Sequence, residues 1–141
     1  GQIQFLYAPT HLNPTYEYGV TFERGTAVTY GDRKQVFISG TASIDNRGEI
    51  VYPGDIVKQT ERMMENIRVL LKEADATTRD ITQAITYLRD MADYAVVKKY
   101  FEAHYPDLPH LIVLAPVCRP GWLIETECIA VVPTESSFKP L

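Results

Sequence analysis

Residues Asp55–Ala74, DIVKQTERMMENIRVLLKEA, decide the fold of this chain, because one set of side chains recurs at the spacing of an amphipathic helix. The recurring positions are Ile56, Thr60, Met63, Ile67, Leu70, Leu71 and Ala74. Asp55 precedes them, and an aspartate there caps the first turn by accepting a hydrogen bond from a backbone amide. The stretch therefore predicts a long helix with one face against a core.

Strand patterns precede this helix. Short runs rich in apolar and β-branched residues are separated by turn residues, as in a meander of antiparallel strands. The candidate strands are Ile3–Ala8, Val20–Tyr30, Gln35–Ile44 and the short run Glu49–Tyr52.

A strand, a second helix and a closing hairpin follow. Thr82–Leu88 has a strand pattern, Asp93 is placed to cap a helix carrying Tyr94, Val97 and Phe101, and Pro106 ends that helix. The resulting order, β-β-α-β-α-β-β, predicts a two-layer α+β domain with two helices on one face of a mostly antiparallel sheet.

Composition sets the class of protein. The chain has 141 residues and 45% hydrophobic residues, which suits a single domain with its own core. A net charge of -4 without a basic run argues against nucleic acid as a partner. No apolar stretch is long enough for a membrane span and no export signal is present, so we expect a cytoplasmic protein.

The ends of the sequence suggest how the domain is placed. We expect an N-terminal extension over residues 1–19, the domain over 20–132 and a polar tail over 133–141. Gly1 without a preceding methionine suggests a processed start or a piece of a longer chain.

The segment Val117–Cys128, VCRPGWLIETEC, concentrates reactive groups. Its Pro-Gly pair predicts a turn over residues 119–122, with an antiparallel strand on each side. In that register Pro116 lies across from Glu125 and Cys118 across from Leu123. Alternation then points Cys118, Glu125 and Glu127 to one face, and Arg119 sides with Trp122.

Each of these groups also has a purely structural interpretation. Glu125 and Glu127 can face solvent, the two cysteines can be small buried side chains, and Arg119 can stack on Trp122. Ser39 and Gly40 can mark a bulge. His104 and His110 lack the spacing of metal ligands, so no metal or other cofactor is assigned.

Four segments together resemble the YjgF family, also called Rid for reactive-intermediate deaminase. They are Phe37–Ser43, the helix with Gln59, Glu65 and Asn66, Tyr87–Asp90 before Asp93 and Tyr94, and Ile124–Ala130. The resemblance implies a chorismate-mutase-like α+β fold, a homotrimer, and small-molecule sites in clefts between subunits.

One position departs from the deaminases of that family. They carry an arginine two residues after a proline, where it binds the carboxylate of an imino acid, and counting from Pro109 that position here is Leu111. A leucine cannot form the bidentate contact that a guanidinium makes with a carboxylate. The departure weakens the expectation of ordinary imino-acid deamination, unless Arg119 or Arg89 reaches the same cleft.

Residues Val117–Glu125 resemble the carboxy-terminal half of chorismatases, enzymes built from two YjgF-like halves. That resemblance implies Glu125 as the acid that protonates an enol ether and Cys118 as a residue that influences the product. It also implies an upstream YjgF-like partner domain. The candidate substrate-binding residues are Arg119, Arg89, Tyr87, Ser39, Gly40 and Thr41.

Three hypotheses follow. The first is a chorismatase-like hydrolase that releases pyruvate from chorismate. The second is an imine or enamine hydrolase whose substrate lacks a carboxylate. The third is a non-catalytic ligand-binding or assembly domain.

Overall fold

The computed structural model describes residues 2–14, 24–117 and 119–134. Its strands are β1 (Gln2–Leu6), β2 (Gly25–Thr29), β3 (Arg33–Thr41), β4 (Ile81–Leu88), β5 (His110–Leu114) and β6 (Ile124–Pro133). The α-helices are α1 (Ile56–Glu73) and α2 (Tyr94–His104). Within the described residues the strands form one sheet in the order β1-β2-β3-β6-β4-β5.

The predicted α+β architecture is confirmed. From β2 to β6 the chain follows β-β-α-β-α-β-β, and every strand pair is antiparallel except β4 with β5. The candidate strand near the N-terminus also forms, and β1 pairs with β2 in the same sheet. The run Glu49–Tyr52 forms no strand and contributes only a bridge between Ile44 and Ile50.

Both helices were predicted, and α1 begins as expected. The carboxylate of Asp55 accepts a hydrogen bond from the backbone amide of Lys58 at 3.0 Å. The prediction that the Asp93 side chain caps the second helix is wrong, because that side chain makes no capping hydrogen bond. Instead, Asp90 accepts from the amide of Ala92 and caps the short 3₁₀ turn Met91–Asp93 that leads into α2.

The core lies between the helices and one face of the sheet. Side chains such as Val36, Ile124 and Ala130 are fully buried there and alternate with less buried neighbours along their strands. The other side of the sheet, which we call the open face, carries no helix among the described residues. Phe37 and Leu111 lie on it and are 41% and 57% exposed.

The predicted closing hairpin is wrong. Strands β5 and β6 do not pair, because β4 lies between them and pairs with both. Glu125 therefore lies across from Tyr87, not Pro116. The physical reason is that α2 carries the chain from β4 to a parallel neighbour, and such β-α-β crossovers place the second strand beside the first.

Candidate active site

A recess of about 290 Å³ lies on the open face where β3, β6 and β4 run side by side. Its lining combines apolar side chains with a hydroxyl, an amide and a carboxylate. The lining residues are Phe37, Ile38, Ser39, Gln83, Ile85, Glu127, Cys128 and Ile129. Among these described residues there is no Lys, Arg or His.

Glu125 lies on the same face, next to the recess, and is held against Gly40. The register between β3 and β6 shifts between Ile38 and Thr41, which places Gly40 in a bulge. A Cβ atom at Gly40 would lie 1.9 Å from Oε1 of Glu125 and 2.9 Å from its Cδ. The carboxylate therefore occupies space that exists only because residue 40 is glycine.

Tyr87 joins the two glutamates across β4 and β6. It is the strand partner of Glu125, yet its hydroxyl donates a hydrogen bond to Oε1 of Glu127 at 2.7 Å. That hydrogen bond, partial burial and the negative charges of Glu127 and Glu125 all raise the pKa of the Tyr87 phenol. The phenol therefore stays protonated and donates a hydrogen bond to the Glu127 carboxylate.

The predicted segment Ser39–Thr41 is divided between the two faces. Ser39 lines the recess, and its backbone amide bonds to the carbonyl of Arg24. Thr41 is buried, and its hydroxyl donates to the carbonyl of Ser39 at 2.8 Å. Thr41 thus shapes the bulge from behind instead of facing the recess.

Arg89 holds a loop. Strand β4 ends at Leu88, and the Arg89 guanidinium donates to the carbonyls of Val117, Arg119 and Trp122 at 2.7, 2.7 and 2.9 Å. These three bonds fasten the segment that connects β5 to β6 where it passes the end of β4. Arg89, a predicted substrate-binding residue, is therefore engaged by this segment and is not among the residues that line the recess.

Arg119 is also engaged away from the recess. Its guanidinium lies 5.2 Å from the centre of the Trp122 ring and donates to the carbonyl of Gly48 at 2.9 Å. A hydrogen bond from the amide of Trp122 to the carbonyl of Arg119 closes the predicted Pro-Gly turn. Arg119 sides with Trp122, as alternation predicts.

Of the two cysteines, Cys128 is among the residues that the structure describes and Cys118 is not. Cys118, the second predicted catalytic residue, lies outside the described residues. Cys128 belongs to the recess lining, but it is only 4% exposed, because it occupies a buried position of β6 between Glu127 and Ile129. Burial raises the pKa of its thiol to about 12. Cys128 is a packing residue.

Leu111 lies on the open face of β5. It is the strand partner of Ile85, which lines the recess. The position that the resemblance associates with carboxylate binding is therefore apolar, exposed and beside the candidate site.

Sequence reasoning missed a row of polar side chains beneath the sheet. The hydroxyl of Thr86 lies 2.6 Å from the hydroxyl of Thr126 and 2.5 Å from Nε2 of His110. Burial lowers the pKa of His110 to about 4, so the imidazole is neutral near pH 7. Each residue occupies a helix-facing strand position, which was the available signal, but their contact depends on the order of β6, β4 and β5.

The described residues contain neither a cluster of metal-binding side chains nor a membrane-spanning helix. In ranges 2–14, 24–117 and 119–134, no three His, Cys, Asp or Glu side chains are grouped to hold a metal ion. No helix in those ranges is long and apolar enough to cross a membrane.

Comparisons with known proteins agree with the fold and with the resemblance to the YjgF family. A sequence model of the family described as "Endoribonuclease L-PSP" matches residues 25–132. A RutC family protein of Pyrococcus abyssi is 37% identical over 98 residues, covering 67% of this chain and 76% of that protein. The 3-aminoacrylate deaminase RutC of Acinetobacter baylyi is 29% identical over 97 residues, covering 67% and 77%.

Solved structures share the fold at low identity. The crystal structure of yeast Mmf1 has a TM-score of 0.78 at 17% identity and covers 92% of this chain and 98% of that one. The YjgF gene product of Escherichia coli has a TM-score of 0.72 at 19% identity and covers 91% and 98%. With the family match spanning more than half its length, the chain belongs to the endoribonuclease L-PSP family, the YjgF/Rid family of the resemblance described above.

Proposed function

We propose that this protein hydrolyses small imines or enamines and releases ammonia, with Glu125 as the residue that handles the attacking water. The observation that carries the proposal is the Glu125 carboxylate, which rests against Gly40 on the open face beside the recess. Family membership and similarity to a 3-aminoacrylate deaminase support a deaminase-type role.

The chemistry needs one group that moves a proton between water and nitrogen. As the water oxygen bonds to the imine carbon, the electrons of the C=N double bond move to nitrogen, and a carboxylate takes the proton from water. It then returns that proton to nitrogen, which gives an amino alcohol. The same carboxylate takes the hydroxyl proton and passes it to the amino nitrogen as the C–N bond breaks, so that a carbonyl compound and ammonia leave. Glu125 is the candidate for this exchange, and an enamine enters the same route once it is protonated at carbon.

The other hypotheses find less support. A dianion such as chorismate requires balancing cations, whereas Arg89 and Arg119 bind backbone carbonyls and no basic residue is among the described residues lining the recess. The contact of Arg119 with Trp122 is what a non-catalytic assembly domain predicts. Glu125 beside the recess favours catalysis instead. The acidic net charge does not favour the ribonuclease activity in the family's description.

We further propose that copies of the chain form a cytoplasmic homotrimer in which neighbouring subunits complete the clefts. Exposed apolar side chains on the open face, including Phe37 and Leu111, support such an assembly because large apolar surfaces are typically covered. Light scattering after size-exclusion chromatography tests the trimer.

The activity is tested by generating imines in place with an amine or amino-acid oxidase, in the presence of catalase, and recording ammonia release. We expect this protein to accelerate release well above the rate in buffer. A parallel incubation with chorismate, monitored for pyruvate, separates the two hydrolases. Pyruvate release without any acceleration of imine hydrolysis would replace the proposal with the chorismatase-like alternative.

A further inference from the structure

The hydrogen bond between Tyr87 and Glu127 fixes what the phenol can offer a ligand. Its single proton points to Oε1 of Glu127 at 2.7 Å, so the lone pairs of its oxygen remain as acceptors. The hydrogen bond to Glu127, burial and the charges of both glutamates raise the pKa of the phenol above its ordinary value of 10, so the phenol is protonated at neutral pH. A ligand that donates a hydrogen bond is therefore preferred at Tyr87. An anionic oxygen there is repelled by the negative charges of Glu127 and Glu125.

The side chains around Tyr87 and Glu127 also favour ligands that lack a carboxylate. Leu111 and Ile85 are strand partners on the open face and present only hydrocarbon. Gln83 and Ser39 are the uncharged polar residues of the recess. A carboxylate placed here would lose hydration without gaining a cation from the described lining residues, and such an exchange is unfavourable.

We infer that Tyr87 and Leu111 determine specificity and that the site takes carboxylate-free imines or enamines. Tyr87 would accept the N–H of the substrate, Leu111 would pack on its hydrocarbon substituent, and Glu127 would be a positioning residue that directs the Tyr87 proton. The inference rests on the proposed function and adds the class of substrate.

The test compares ligands that differ only in the charged end. 3-Methylbutylammonium and 4-methylpentanoate share a hydrocarbon chain, and their binding to the intact protein is measured by titration calorimetry. We expect the ammonium ligand to bind at least about tenfold more tightly. Equal or tighter binding of the carboxylate would overturn the inference whether or not the protein turns imines over.

Two substitutions with matched controls assign the preference to these residues. Tyr87→Phe is expected to weaken binding of the ammonium ligand by about three- to tenfold, the effect of one hydrogen bond. Tyr94→Phe, on α2, is expected to leave it unchanged. Leu111→Arg is expected to gain carboxylate binding by about tenfold. Leu114→Arg adds the same charge on β5, where Leu114 is equally exposed at 56% but faces the other side of the sheet, and should not produce the gain.

Turnover separates failure of the inference from failure of the proposed function. A flavin amine oxidase acting on 3-methylbutylamine and an amino-acid oxidase acting on leucine supply imines that differ by the carboxylate. Faster ammonia release from the first supports the inference, and equal or faster release from the imino acid overturns it while leaving imine hydrolysis intact. No acceleration of either imine rejects the proposed function, and the binding comparison then decides the inference alone.

Discussion

Oε1 of Glu125 lies 1.9 Å from the point where a Cβ atom of residue 40 would stand, so the carboxylate and any side chain at Gly40 exclude each other. Because Gly40 lies in a bulge of β3, the backbone there approaches β6 closely enough to fix where the carboxylate rests. The position of the candidate catalytic group is thus set by a missing side chain on a neighbouring strand.

We predict that Gly40→Ala lowers kcat/KM for imine hydrolysis by about 10- to 100-fold, because the new methyl group displaces the carboxylate by an ångström or more. The free energy of unfolding should change by less than about 1 kcal/mol, since the displaced atoms end a flexible side chain and alanine restricts the unfolded chain. Steady-state kinetics and urea denaturation on the same samples measure both quantities.

The double substitution with Glu125→Asp is the control for that prediction. Aspartate is one methylene shorter, so adding Gly40→Ala to Glu125→Asp should cost clearly less activity than adding it to the wild type. Strictly additive losses would show that the two positions act independently, contrary to the contact described.

Arg89 is predicted to stabilise the loop between β5 and β6 rather than to bind substrate directly. Arg89→Ala removes three charge-assisted hydrogen bonds to buried or half-buried carbonyls and should lower the free energy of unfolding by roughly 2 to 4 kcal/mol. Arg89→Lys should recover only part of this, because a single ammonium cannot reproduce the fork of a guanidinium.

Arg47→Ala is the matched control for Arg89. The Arg47 side chain is 77% exposed, and its loss should change stability by less than about 0.5 kcal/mol. Equal effects of the Arg47 and Arg89 substitutions in urea denaturation would contradict the structural role of Arg89.

Asp55 and Asp93, which each precede a helix, are predicted to contribute differently to the stability of the protein. Asp55→Ala removes the capping bond to the amide of Lys58 and should destabilise the protein by about 1 kcal/mol. Asp93→Ala removes a carboxylate that makes no capping bond and whose pKa is raised by burial and by Asp90, so it should be neutral or stabilising. Thermal unfolding of the two variants side by side checks the ordering.

Stability should depend on pH through His110. Burial lowers the pKa of His110 from 6.5 to about 4, so between these values the unfolded chain binds more protons than the folded one. The contribution of His110 to the free energy of unfolding should therefore have its full value above pH 6.5 and decrease as the pH is lowered toward 4. His110→Gln, which can still bond to Thr86, should flatten this dependence when urea denaturation is repeated across the range.

His104→Gln is the corresponding control, because His104 is an exposed residue at the end of α2. It should retain the wild-type slope between pH 6.5 and 4. An unchanged slope in His110→Gln would mean that other groups produce the pH dependence.

What could be predicted from the sequence depended on the range of the interaction. The helix α1 and its Asp55 cap are local, so periodicity and one residue type were sufficient. The pairing of β5 and β6 was predicted wrongly because a tight turn usually joins paired strands, and no local signal reports that β4 takes the place between them. The same strand order explains why Arg89 meets the loop.

The candidate site divides in the same way. Alternation along β6 correctly places Glu125 and Glu127 on one face, since successive strand residues point to opposite sides. The hydrogen bond from Tyr87 to Glu127 joins β4 to β6, and the contact of Glu125 with Gly40 joins β6 to the bulge in β3. Neither follows from spacing within a single strand.

The most direct test of the account is ammonia release from a carboxylate-free imine by wild-type protein and by Glu125→Gln. Glutamine has nearly the same size but cannot take a proton from water, so we predict a loss of at least about 100-fold in kcat/KM with an unchanged unfolding midpoint. Ammonia release at the wild-type rate by correctly folded Glu125→Gln would contradict the central role of this carboxylate.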